Sequence, residues 1–237
     1  MREKIIRGCW QLSTDHSKHT SNINPILDAI DAGFTTFDCA DIYLGVEVLL
    51  GQAKKLRAHA DVRFHTKFVP DLSQLNNIDL NYCEKIIDRS LSRLNVDSLS
   101  LVQFHWWDYN VDNYLKVMDG LNTLKVKGKI AAIGLTNVNS SYLKQFSDNF
   151  DIASLQAQVS LFDKRVEGSV QPICQAKGIK ILAYGTLMGG FLSERWLNQK
   201  EPSLNELANR SLVKYKLMID DVCGWATFQQ RLTLLDA

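Results

Sequence analysis

The sequence predicts an α/β protein: a TIM-type (β/α) barrel of seven parallel strands, built by residues 1–237 as one domain. Three observations predict it. Short runs rich in Ile, Val and Leu alternate with helical patterns, in the βαβα order of a parallel sheet flanked by helices. The unit recurs roughly every 30 residues without sequence repeat, linker or low-complexity segment. The length, 237 residues, is close to the about 250 of one such barrel.

Residues 5–9 form the opening strand. Asn24 reads as an N-cap and Pro25 as the first helical residue. Ile26, Leu27, Ile30 and Phe34 then form an apolar stripe that Gly33 ends. Phe34-Thr35-Thr36-Phe37 is a strand. A helix over 46–58 precedes a strand over 62–67. Residues 79–94 form an amphipathic helix that buries Ile86, Ile87, Leu91 and Leu94. Residues 99–104 are a strand, 111–126 a helix stopped by Gly128, 130–135 a strand, 140–146 a short helix. Residues 152–159 hold a strand. A helix over 169–176 follows, with Pro172 tolerable only in its first turn. Residues 179–183 are the last strand, and the chain from Pro202 on is helical. The strands lack strict alternation, which fits burial on both faces.

Hydrophobic residues make up 46% and charged residues 22% of the chain, with 27 basic and 26 acidic side chains and a net charge of +1. That balance supports one large core and gives no bulk attraction for nucleic acid or an anionic membrane. No run approaches the about 18 apolar residues of a membrane span. The first ten residues hold no apolar stretch long enough for a signal peptide, so a cytoplasmic protein is expected. The five cysteines are odd in number and contain no C-x-x-C. They read as buried thiols rather than as disulfides or metal ligands.

The informative polar residues fall at strand ends: Asp38, Lys67, His105, Asn137, Gln158 and Tyr184. In a parallel barrel all these ends open on one face, where barrel enzymes place their chemistry. Asp38, Tyr43, Lys67 and His105 form a coherent set. A phenol has an ordinary pKa of about 10, and an ammonium beside it favours the phenolate and lowers that value. Lys67 can do this to Tyr43, Asp38 can balance Lys67, and His105 can hydrogen-bond and orient a substrate carbonyl. Taken singly, each residue has a plain structural reading as a loop cap, packing ring, solvated lysine or core histidine.

The segments carrying these residues resemble the aldo-keto reductase family. Phe37-Asp38-Cys39-Ala40-Asp41-Ile42-Tyr43, with Gly45, Glu47 and Leu50-Gly51 behind it, is similar to the family's D-x-A-x-x-Y segment. His65-Thr66-Lys67, the stretch from Ser90 to Asp97 followed by Gln103-Phe104-His105, and Gly128 to Asn137 resemble further signatures. The resemblance runs from Gly8 to about Phe228. It implies reduction of a small-molecule aldehyde or ketone with NADP(H), with Tyr43 as general acid, Lys67 and Asp38 tuning it, and His105 orienting the carbonyl. It also implies that Thr136, Asn137 and Gln158 hold the nicotinamide amide and that Tyr184 stacks on the ring. Gly185, Thr186 and Leu187 meet the pyrophosphate, and Trp10, Trp106 and Trp107 wall the substrate pocket.

Two departures from the family pattern bear on this. Leu44 stands between Tyr43 and Gly45, where a glycine is usual, and is expected to reshape the loop. The C-terminal βα region, with the residues that grip the adenosine phosphate, is expected to be missing. That leaves a seven-stranded, open or tail-patched barrel with weak NADPH affinity, and an open sheet edge through which the chain could self-associate. A non-catalytic relative that binds a metabolite or partner through the same cleft is the alternative. A Schiff-base aldolase with Lys67 as nucleophile is a third reading, opposed by Asp38, which keeps Lys67 charged.

Overall fold

Residues 5–16 and 22–236 are described in a computed structural model of the chain; residues 1–4, part of the segment read above for a leader, lie outside them. Seven parallel strands form one sheet in sequence order: β1 (Arg7–Gly8), β2 (Thr36–Asp38), β3 (Arg63–Phe68), β4 (Leu101–Phe104), β5 (Ile133–Thr136), β6 (Ser154–Gln158) and β7 (Lys180–Tyr184). The helices α1 (Asn24–Asp31), α2 (Val46–Leu56), α3 (Leu80–Leu94), α4 (Tyr114–Val126), α5 (Ser140–Asn149) and α6 (Arg165–Lys177) lie between successive strands. The sheet curls but does not close. Among the described residues β1 pairs only with β2, and β7 only with β6.

The strands alternate more than their sequences suggest. Successive side chains point to opposite faces, so Phe64, Thr66 and Phe68 of β3 face the helices while His65 and Lys67 face inward. Phe37, Val102, Phe104, Ile133, Leu135 and Leu155, each at most 1% exposed, fill the layer under the helices. Inside the curl stand Asp38, Lys67, Gln103, Thr136 and Gln156. The sheet is thus buried on both faces, but its inner face is polar.

The boundaries differ locally from the expectation. α1 begins at Asn24, and it is the Asn22 side chain that accepts from the Asn24 N–H. α6 starts at Arg165, four residues ahead of the expected helix, so Pro172 lies in its interior. Its buried stripe of Val170 and Cys174, with Val166 packed beside them, is too narrow to show the first turn in the sequence. The C-terminal stretch forms two helices, α7 (Arg210–Val222) and α8 (Gly224–Asp236). With Phe162, Met188 and Phe191 they bury a second core that includes Leu212, Tyr215, Ile219, Trp225 and Phe228.

The gap between β1 and β7 is patched at one end. α7 reaches one side through His16 Nε2–Ser211 Oγ at 3.0 Å and Arg210–Asp15 at 2.7 Å. On the other side Tyr215 packs against the turn after β7, so closely that a side chain at Gly185 would meet its hydroxyl at 2.4 Å. Among the described residues no helix is long and apolar enough to cross a membrane.

Candidate active site

The C-terminal ends of the strands open into a cleft of about 1140 Å³ that runs out between β1 and β7. It is lined by Asp38, Tyr43, Lys67 and His105, and by Thr136, Asn137, Tyr184, Gly185, Thr186, Leu187, Trp10 and Trp107. Two of the expected residues stand elsewhere. Trp106 follows Phe104 on the outer face, stacks on it at 5.8 Å and is buried in the core. The period-2 alternation that sends His105 and Trp107 to the cleft sends Trp106 away from it. Gln158 lies above the cleft and donates to Asp163 Oδ2 at 3.1 Å. Gln156, two residues earlier on the same face, lines the cleft instead.

Asp38 is the centre of the polar interior. Its Oδ2 accepts from Lys67 Nζ at 2.7 Å. Its Oδ1 accepts from Gln103 Nε2 at 2.7 Å and from Gln156 Nε2 at 2.9 Å. Neither glutamine was expected at the site. Lys67 Nζ also donates to the Cys39 carbonyl at 2.7 Å and lies 5.1 Å from the centroid of the Tyr43 ring. Burial would lower the Lys67 pKa, but Asp38 and Tyr43 outweigh it and the value is raised. Lys67 is therefore an ammonium, not the neutral amine that a Schiff base requires.

Tyr43 departs from the expected sign. Burial raises its pKa and outweighs the lowering by Lys67, so the phenol keeps its proton at neutral pH. The loop that carries it runs from β2 to α2 and turns at Gly45, whose φ of 80° is the left-handed conformation suited to glycine. Leu44 follows Tyr43 in this loop. Its side chain is 57% exposed, and its carbonyl accepts from the Thr14 N–H at 3.3 Å. His105 presents a buried Nε2 with no hydrogen-bond partner. Burial, then Lys67, lowers its pKa, so the ring is neutral and can orient a bound oxygen.

Behind the loop lies a buried acidic pair, Asp41 and Glu47, which the sequence shows as members of the family-like segment but without a role. Glu47 accepts from Thr66 Oγ1 at 2.7 Å and meets Arg93 at 3.4 Å. Asp41 accepts from the Val69 N–H at 3.2 Å and meets Arg89 at 3.2 Å. Burial and the Glu47 charge push the Asp41 pKa up to about 7.

Tyr184 OH donates to Asn137 Oδ1 at 2.9 Å, holding one amide and one ring together at the β5–β7 side of the cleft. The Asn137 backbone is left-handed, with φ 55°. The Tyr184–Asn137 bond uses the phenol proton and leaves the Asn137 Nδ2 donors and the Tyr184 ring face on this wall of the cleft.

The sequence model of the aldo/keto reductase family matches residues 4–235. An uncharacterized oxidoreductase of Bacillus subtilis is 29% identical over 84% of this chain and 65% of its own length. An NADH-specific methylglyoxal reductase of Escherichia coli is 28% identical over 72% of this chain and 58% of its own. The chain thus spans about three fifths of the length of the curated relatives it matches. Among solved structures, a glycerol dehydrogenase of Gluconobacter oxydans aligns with TM-score 0.73 at 22% identity, covering 92% of this chain and 72% of that one. An aldo-keto reductase of Bacillus halodurans aligns with TM-score 0.70 at 23% identity, covering 99% and 87%. One from Klebsiella pneumoniae, solved with NADP and acetate, aligns with TM-score 0.67 at 22% identity, covering 78% and 65%.

Proposed function

The chain belongs to the aldo/keto reductase family, and from that premise we propose that it reduces an aldehyde or ketone to the alcohol with NADPH. The observation that carries the reading is the Lys67 ammonium, 2.7 Å from Asp38 and 5.1 Å from the Tyr43 ring, in a cleft that also holds the unpartnered His105 Nε2. The nicotinamide cofactor supplies the hydride. Tyr184, Thr136 and Asn137 would hold its ring and amide, and the Gly185–Thr186–Leu187 turn would meet its phosphates. Gln156 supports the site through Asp38, in place of the nicotinamide contact expected of Gln158.

The chain's own residues handle the proton. His105 Nε2 orients the carbonyl oxygen toward Tyr43. Tyr43 donates its phenolic proton to that oxygen as negative charge develops there. The raised pKa keeps Tyr43 protonated beforehand. Lys67 stabilises the phenolate left behind, and Asp38, fixed by Gln103 and Gln156, keeps Lys67 charged and in place. Trp10 and Trp107 exclude water from the substrate side.

The test is consumption of NADPH and of NADH, followed by nicotinamide absorbance, against a panel of small neutral and acidic aldehydes and ketones. Turnover with the native chain is expected. Tyr43→Phe should lower it by about 10²–10⁴-fold while leaving NADPH binding, read by cofactor fluorescence, unchanged. Absence of NADPH and NADH binding by the native chain would sink the proposal.

A further inference from the structure

Among the described residues three ionised side chains line the cleft: Lys67, Asp38 and Lys214. Lys67 and Asp38 neutralise each other, so the charge that the described residues leave in the cleft is that of Lys214. The other two cations of α7 are both matched by carboxylates. Arg210 meets Asp15 at 2.7 Å, and Lys216 meets Glu201 at 2.7 Å and Asp220 at 2.6 Å. Lys214, between them in sequence, has neither ion pair nor hydrogen bond among the described residues. Its ammonium lies over three rings instead, 4.5 Å from the centroid of Tyr184, 5.2 Å from Tyr215 and 5.9 Å from Trp10.

Such a placement is costly without a ligand. A partly buried ammonium loses hydration, and no carboxylate returns what is lost. Aromatic faces recover a part of it. Burial accordingly lowers the Lys214 pKa. Of the neighbouring polar groups on the same wall, Ser211 Oγ is engaged with His16 and Asn209 Oδ1 accepts from the Leu212 N–H. Among the described residues Lys214 is therefore the one cation on this wall without a carboxylate, free to pair with an anion entering the cleft.

We propose that Lys214 is the receptor for an anionic group, phosphate or carboxylate, on a molecule that binds in the cleft, and that its three rings hold the ammonium ready until that group arrives. The source of the anion rests on the reductase reading: it is either the pyrophosphate of the cofactor or the acidic tail of a carbonyl substrate. The contact with Tyr184 adds a consequence. An ammonium 4.5 Å from that ring's centroid covers a face on which a nicotinamide would stack, so stacking on that face moves the ammonium off Tyr184, and its flexible stem lets it swing.

The experiment titrates inorganic pyrophosphate into the native chain, Lys214→Met and Lys214→Arg, read by tryptophan fluorescence because Trp10 adjoins the ammonium. Met keeps the stem and removes only a poorly solvated charge, and Arg keeps the charge, so folding and binding effects separate. The native chain and Lys214→Arg should bind, and Lys214→Met should bind about tenfold or more weakly. A parallel loss of NADPH affinity in Lys214→Met assigns the anion to the cofactor. Unchanged NADPH affinity, with about a tenfold rise in KM for an acidic carbonyl and none for a neutral one of similar size, assigns it to the substrate. Equal pyrophosphate binding by the native chain and Lys214→Met, or none by the native chain, overturns the proposal. Pyrophosphate binding that depends on Lys214, in a chain that binds neither NADPH nor NADH, sinks the reductase reading and leaves the anion receptor standing.

Discussion

Tyr43, Lys67 and Asp38 are legible in the sequence because charge and phenol at the ends of apolar strands are rarely accidental in combination. Removing the Tyr43 hydroxyl should cost about 10²–10⁴-fold in turnover, measured as kcat for Tyr43→Phe beside an unchanged cofactor affinity. Gln103 and Gln156 are not legible. An amide in a strand looks like any polar residue, and Gln156 and Gln158 share a face, so only the stagger between strands decides which one meets Asp38. The sign of the Tyr43 shift is equally hidden, because depth of burial outweighs the visible neighbour Lys67. Asp41 supplies a pH test of the same principle. Its folded pKa, about 7, stands above the ordinary 3.8, so across this window the folded state holds a proton that the unfolded state has released. The stabilisation is full below about pH 4 and is lost as the pH rises through about 7. Urea midpoints of the native chain and Asp41→Asn should diverge from pH 4 to about pH 7, the native chain losing ground. A difference that stays constant with pH would show that Asp41 titrates normally.

At the scale of elements, strand and helix order is read correctly because period 2 and period 3.6 leave different apolar patterns. Boundaries fail where burial is thin. α6 shows its apolar stripe only over its later turns, which is why its start and the place of Pro172 are misread. Pro172 gives no N–H to the Gly168 carbonyl one turn earlier. Pro172→Ala should therefore stabilise the fold by up to about 3 kcal/mol, read as a higher urea midpoint. The close approach of α2 and α3 is invisible in either helix alone. A Cβ at Gly51 would stand 2.1 Å from the Arg93 carbonyl oxygen, which is backbone and cannot rotate away. Gly51→Ala should cost about 1–3 kcal/mol, and because Arg93 also holds Glu47 and the Asp41 carbonyl, it should lower turnover as well. A variant as stable as the native chain would show that the two helices separate freely.

At the scale of the whole molecule, the open seven-stranded curl follows from counting strands, whereas the second core around Phe191 and Phe228 does not, since its members come from loops and helices that share no period. That core meets the rest through Tyr215 against the turn after β7, Ser211 on His16 and Arg210 on Asp15. Amides of α7 and α8 should therefore exchange with deuterium as one unit, faster than those of β3 to β5. Equal protection throughout would show a single cooperative body. The carboxylate of Asp38 has a further consequence, in time rather than in space. Its three partners lie 29, 65 and 118 residues along the chain, at Lys67, Gln103 and Gln156. A folding chain can form the first contact early, but the last requires β6 to have arrived, and contacts so distant in sequence form slowly. Until then the Asp38–Lys67 pair stands half caged and wet. Catalytic competence should return on refolding only after helical signal has recovered, and Gln156→Leu should lengthen that lag, making the carboxylate a clock for the closing of the sheet.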